Sequence, residues 1–145
     1  MLVFMSCAFS FENAKPFLQE ISSSGTCEIY AKANTNSNLP SFVSINRSGE
    51  DIFAKADIKL LGYLMGQMHD IKGVTVFVQE DLQKVINQFQ IRICDITMME
   101  SSKHIFGFSP YLKQFVFIKN KKCNIHIVQN ENNLVIGTPI IFGSY

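Results

Sequence analysis

The stretch K121-K-C-N-I-H-I-V-Q129, then N-E-N-N (130–133), then L134-V-I-G-T-P-I-I-F142 reads as a β-hairpin. Cys123, Ile125 and Ile127 alternate with Asn124 and His126, the period of two that places successive side chains on opposite faces of a strand. The Asn-rich segment suits a turn, because asparagine tolerates left-handed backbone. A proline cannot donate to a sheet ladder. Pro139 therefore predicts that the returning strand lies at an edge or a bulge, with Gly137 supplying slack.

Working outward, the pattern is mixed. Residues 27–33 alternate as a strand, 34–41 form a polar loop, and 42–45 suit a short returning strand. The stretch 46–51 reads as a turn feeding a helix over 51–68, whose wheel groups Phe53, Ala56, Leu60, Tyr63 and Leu64. Residues 74–78 are β-branched. Leu82, Val85, Ile86 and Phe89 follow at helical spacing within 80–89, the cleanest amphipathic segment of the chain. Residues 91–97 and 104–109 resume strand character, and 111–118 suit a helical turn followed by a strand. The expected class is α+β: an antiparallel sheet with about two helices packed on one face. Residues 14–145 form one domain by length, and 1–13 suit the remnant of a signal or anchor segment, with membrane anchorage through it as a corollary.

Composition narrows function mainly by exclusion. With 13 basic and 12 acidic residues the net charge is +1, no footprint for a polyanion. Cys7, Cys27, Cys94 and Cys123 are scattered without zinc spacing, and read as buried thiols, or as one or two disulfides if the chain is exported. His69, His104 and His126 lack metal-ligand spacing and read as surface or half-buried residues. G107-F-S-P-Y111 begins like a nucleophile elbow, but Pro110 and Tyr111 stand where a tight strand-to-helix turn is needed. The expectation is no enzyme, no metal and no cofactor. N46-R-S48 is a formal glycosylation sequon. Lys119, Lys121 and Lys122, with His126 on the polar face of the hairpin, are the candidate surface for a partner or for nucleic acid. A solvated turn is the plainer reading of the lysines.

Residues 105–145 resemble the C-terminal segment of YwmB-like proteins from spore-forming Gram-positive bacteria. The resemblance rests on Gly107-Phe108-Ser109-Pro110 closing a strand, a lysine-rich turn from Lys119 to Lys122, and a strand opening C-N-I-H-I-V. The ending G-T-P-I-I…Y is carried by Gly137, Thr138, Pro139, Ile140, Ile141 and Tyr145. It implies a fold similar to the TATA-box-binding protein and an exported or envelope-anchored location. It implies no catalytic residues. DNA binding does not follow, because fold does not carry function. The chain departs from the family in being shorter and in having His126 and Gln129 where an arginine-containing pattern is usual. The leading expectation is a non-enzymatic protein acting through a protein partner, with DNA binding as the alternative and a small hydrolase behind it.

Overall fold

A computed structural model of the protein describes residues 14–33 and 39–142, with only the backbone for 14–17. The expectations for residues 1–13 and for Tyr145 lie outside the described residues.

The fold is α+β, dominated by one large antiparallel sheet. Its strands are β1 (Thr26–Lys32), β2 (Ser44–Ser48), β3 (Asp51–Asp57), β4 (Ile71–Val78), β5 (Arg92–Met99), β6 (Ser102–Phe108), β9 (Ile125–Asn130) and β10 (Asn133–Thr138). They lie in the order β2-β3-β1-β4-β10-β9-β6-β5. A separate hairpin, β7 (Val116–Ile118) and β8 (Lys121–Cys123), lies against β5 and β6. Three short helices complete the described residues: α1 (Ala14–Ile21), α2 (Leu61–Gln67) and α3 (Leu82–Gln88).

The helices share one face. Ile52, Ala54, Cys27, Ile29, Val74, Val76, Leu134, Ile136, Ile125, Ile127 and Ile105 alternate inward along their strands. They form one core with Leu18 and Ile21 of α1, Leu61 and Leu64 of α2, and Val85 of α3. Burying aliphatic side chains at roughly 25 cal/mol per Å² is the term that holds this layer on the sheet. α3 begins at the acidic residue its sequence offers, because the Asp81 carboxylate accepts from the Lys84 amide at 2.8 Å.

Two expectations are corrected here. The helix over 51–68 starts late: residues 51–57 are β3, paired to β1 from Asp51↔Lys32 to Asp57↔Thr26. Ile52, Ala54 and Ala56 already alternate with Phe53, Lys55 and Asp57, but alanine and lysine also suit helices, so the period of two was masked. The stop and start lie at Asp57, whose side chain accepts from the Lys59 amide and opens a 3-10 turn (Ile58–Leu60) leading into α2. The turn feeding this segment is instead a hairpin turn between β2 and β3, with Gly49 at φ +61°.

The second correction concerns Pro139. β10 is central, bonded on one side to β4 and on the other to β9. The ladder stops at Thr138, and Pro139 follows through a cis peptide bond outside the strand. Gly137 serves a different need from slack: the chain doubles back, and a Cβ there would meet Ile141 Cγ1 at 2.6 Å. The returning segment lies on the sheet face opposite the helices. There Phe142 rests on Tyr30 with ring centroids 5.0 Å apart, and a Cβ on Gly73 would meet the Phe142 ring at 2.5 Å.

Candidate functional sites at the sheet edge and on the tail face

Lys119 and Asn120 take φ values of +48° and +63° between Ile118 and Lys121, the paired positive values of a two-residue hairpin turn. The lysine cluster is thus the turn of β7–β8, and each of its cations has a neighbour in its own chain. Lys119 Nζ meets Asp95 Oδ2 at 3.0 Å, Lys121 Nζ donates to the Cys94 carbonyl oxygen at 3.0 Å, and Lys122 Nζ sits 4.6 Å from the Phe115 ring centre. The Lys119 hydrogen bond holds the Asp95 carboxyl below its ordinary pKa. These contacts are exposed, so they orient the hairpin more than they stabilise it.

His126 does not join the lysines. It is 6 % exposed, on the tail side of the sheet, where it corrects the expectation of a polar surface residue. The Ile141 amide donates to its Nδ1 at 3.3 Å, which fixes the proton on Nε2, and Nε2 then donates to Nδ1 of His104 at 3.1 Å. Phe106 stacks on the His126 ring at 4.2 Å. Burial, then the nearby His104, pushes the His126 pKa down to about 3. His104 is equally enclosed, 2 % exposed. The tail after Pro139 covers His126, and His126 in turn lies against His104, which alternation along the strand does not reveal.

Three of the signature residues, Gly107, Ser109 and Thr138, lie around one side chain that sequence reasoning passed over. Asn124 interrupts the expected continuous strand over 121–129, separating β8 from β9. Its amide nitrogen donates to the carbonyl oxygens of Ser109 (2.8 Å) and Leu112 (2.9 Å), and its Oδ1 accepts from the Ser109 amide (2.8 Å). Thr138 Oγ1 donates to the Asn124 carbonyl at 2.8 Å, and the Asn124 amide donates to the Gly107 carbonyl at 3.0 Å. Ser109 Oγ, fully buried, donates to the Phe89 carbonyl at 2.7 Å beyond the end of α3. Gly107 is where Ile91 presses on the sheet, 2.6 Å from a would-be Cβ. Pro110 is exposed in the following turn. Asn124, Ser109, Thr138 and Gly107 are a buried clasp that joins β6, β9, β10 and α3.

The sheet edge formed by β5 was also missed as a surface. Ile93, Ile96, Met98 and Met99 are 42 %, 47 %, 65 % and 52 % exposed. Ile96 pairs with buried Ile105, so it points to the helix side, beyond the helices' cover. A run with β-strand composition announces a strand but not its place at an edge, which the order of all the strands decides.

Among the described residues no cluster of three His, Cys, Asp or Glu could hold a metal ion, and no helix is long and apolar enough to cross a membrane. Comparison with protein-family models, with curated proteins and with solved structures finds no match to this chain.

Proposed function

We propose that this protein is a non-enzymatic binding protein of the YwmB-like group, exported or held at the cell envelope, that acts by protein contacts through the β5 edge. The observation that carries this reading is the apolar exposure of Ile93, Ile96, Met98 and Met99 on an edge strand. Sheet edges are ordinarily blunted by charge, because their unpaired backbone groups are a template for another strand. This edge carries Arg92 and a salt bridge at Asp95, and presents four large apolar side chains around them. That suits a partner strand whose backbone extends the sheet while its alternate side chains cover Ile96 and Met98.

The TATA-box-binding-protein-like topology belongs to the same reading. It rests on the resemblance over residues 105–145 and is supported by a broad antiparallel sheet with its helices on one face. The buried Ser109 hydroxyl, donating to a backbone carbonyl, supports the absence of hydrolase chemistry. DNA binding is the lesser reading, since the lysines it would use are already engaged within the chain.

The test places a photo-crosslinking residue at Ile96 in the producing cell, with Ile45 on the opposite edge as control. Ile96 should capture one discrete protein, and Ile96→Lys with Met98→Lys should abolish that capture while the circular dichroism spectrum is unchanged. Equal labelling from both edges would overturn the docking reading. Duplex DNA binding that weakens steeply with salt, and on changing Lys119, Lys121 and Lys122 to Ala, would favour the alternative. Fractionation with mass spectrometry of the mature N-terminus tests export separately. An intact Met1 in the cytoplasm would remove the envelope location without touching the β5 reading.

A further inference from the structure

β5 carries one residue more than its partner strand matches. Ile93 pairs with Gly107 and Asp95 with Phe106, which leaves Cys94 as the extra residue of a β-bulge. A bulge bends its strand and re-aims the side chain at the insertion. Here it turns Cys94 toward β8, where its thiol donates to the Lys122 carbonyl at 3.5 Å while Lys121 Nζ donates back to the Cys94 carbonyl at 3.0 Å. Cys123 follows Lys122 directly and is fully buried, so the Cys94 thiol lies against the peptide bond that leads into Cys123. Cys94 remains part-exposed.

We infer that Cys94 and Cys123 form a dithiol site that a small-molecule disulfide converts to an internal disulfide, stapling the β7–β8 hairpin to the β5 edge. The inference rests on the bulge and on the contact of the Cys94 thiol with the carbonyl just before Cys123, and is independent of the docking reading. The conversion takes two exchanges. The Cys94 thiolate attacks one sulfur of the disulfide RSSR, forming a Cys94–SR bond and breaking RS–SR. The departing RS⁻ takes up the proton that Cys94 gave. The Cys123 thiolate then attacks the Cys94 sulfur, the second RS⁻ leaves, and it takes up the Cys123 proton. Two cysteine thiols are oxidised to one disulfide, and RSSR is reduced to two RSH.

Burial sets the order of attack. It is the main cause holding the Cys123 thiol well above its ordinary pKa, with the Cys94 hydrogen bond next, so Cys123 is seldom a thiolate. Part-exposed Cys94 therefore meets the oxidant first. The product carries no charge, so the same burial does not oppose it. Cys27 has a different setting, donating to the Asp57 carbonyl at 3.6 Å within the helix-covered core, with its pKa raised to about 11 chiefly by burial.

The full chain, reduced and then equilibrated in glutathione buffers of stepped ratio, is quenched with acid, alkylated and mapped by mass spectrometry. The expected product is a Cys94–Cys123 cross-linked peptide, lighter by two hydrogens than the reduced pair. Oxidation should raise the melting temperature on the order of 10 °C, as closing a loop of this length does. Cys123→Ser should instead stop at a glutathione adduct on Cys94, and Cys94→Ser should leave Cys123 unmodified in the folded protein. A wild-type chain that keeps the Cys94 adduct at equilibrium, or that joins either residue to Cys7 or Cys27, would overturn the inference. The wild-type map decides this even if a variant fails to fold.

Discussion

The two halves of the sheet are held together by different means. The strands β2, β3, β1 and β4 rely on aliphatic burial beneath α1 and α2, with Thr75 buried among them and ion pairing left near the surface, as between Lys72 and Asp51 at 2.9 Å. The strands β10, β9, β6 and β5 use aliphatic burial too, but thread buried polar groups through it: Asn124, Ser109, Thr138, His104 and His126. A surface ion pair contributes little and fails gently. A buried polar clasp fails expensively, because each partner left behind is desolvated and unpaired. The edges differ in the same direction: β2 is S-I-N-R-S and exposed throughout, while β5 presents its apolar side chains.

The hardest blow to this contrast is Asn124→Ala. It strands the Ser109 amide and the carbonyl oxygens of Ser109 and Leu112 in the interior, at a cost of roughly 3–5 kcal/mol. Urea unfolding monitored by circular dichroism should show it as a lower midpoint with an unchanged slope. A loss below 1 kcal/mol would mean that the clasp is no stiffer than the surface contacts of the other half.

Acid should find the same half. The folded His126 pKa lies near 3, below the ordinary value of 6.5, so the unfolded chain binds this proton first as pH falls. The contribution is therefore complete above pH 6.5 and is lost progressively as pH drops toward 3. Between pH 7 and pH 4.5 the loss is about 2–3 kcal/mol. Protonation would also place a second N–H opposite the Ile141 amide, so the tail contact breaks with it. His126→Gln should lower stability at pH 7 yet flatten the acid limb. An equally steep limb in that variant would assign the acid sensitivity elsewhere.

Much of this arrangement could be read from the chain. The hairpin of β9 and β10 is visible because Cys123, Ile125 and Ile127 alternate with Asn124 and His126, and α3 is visible because Leu82, Val85, Ile86 and Phe89 repeat at helical spacing. β3 was hidden by its alanines and lysine, which favour a helix over a strand. Asn124 and His126 looked like solvent-facing positions because alternation assigns a residue to a face without saying what covers that face. The tail after Pro139 covers one of them, and the loop after Ser109 wraps the other. Both are contacts between segments distant in the chain, which no local pattern encodes. The resemblance over residues 105–145 singled out Gly107, Ser109, Gly137 and Thr138, which the structure gathers in and beside the clasp and the tail's turn.

The join between the halves can be probed at Gly73. The tail leaves β10 in one half and reaches β1 and β4 in the other, where Phe142 lies against Gly73 and Tyr30. Gly73→Ala puts a methyl group 2.5 Å from the present position of Phe142 Cδ2. The half-buried Phe142 ring can yield, so the cost should be about 1–2 kcal/mol rather than a failure to fold. Amide exchange should show the change at Ile141 before it shows in the β1–β3 ladder. Faster exchange throughout β1 and β3 would mean that the tail holds the first half together rather than merely resting on it.

The smallest effect should come from Asp51, which accepts hydrogen bonds from the Tyr30 hydroxyl and from Lys72 on the tail side of β1, β3 and β4. Those two bonds, Tyr30 first, hold its carboxyl below the ordinary value, and the bond to Asp51 holds Lys72 above its own. The Asp51 contribution is present above the ordinary carboxylate pKa and fades as pH falls through the lowered one. The Lys72 contribution is present below the ordinary lysine value and fades as pH rises through the raised one. At neutral pH both are in force, yet the pair faces solvent. Asp51→Asn should therefore cost no more than about 1 kcal/mol and should lose most of that difference in molar salt. Asn124→Ala should keep its full cost in the same salt, because its bonds join neutral groups away from water. Salt dependence, more than size alone, is the property that separates the two halves: if both variants respond alike, the division between surface pairing and buried clasp does not hold.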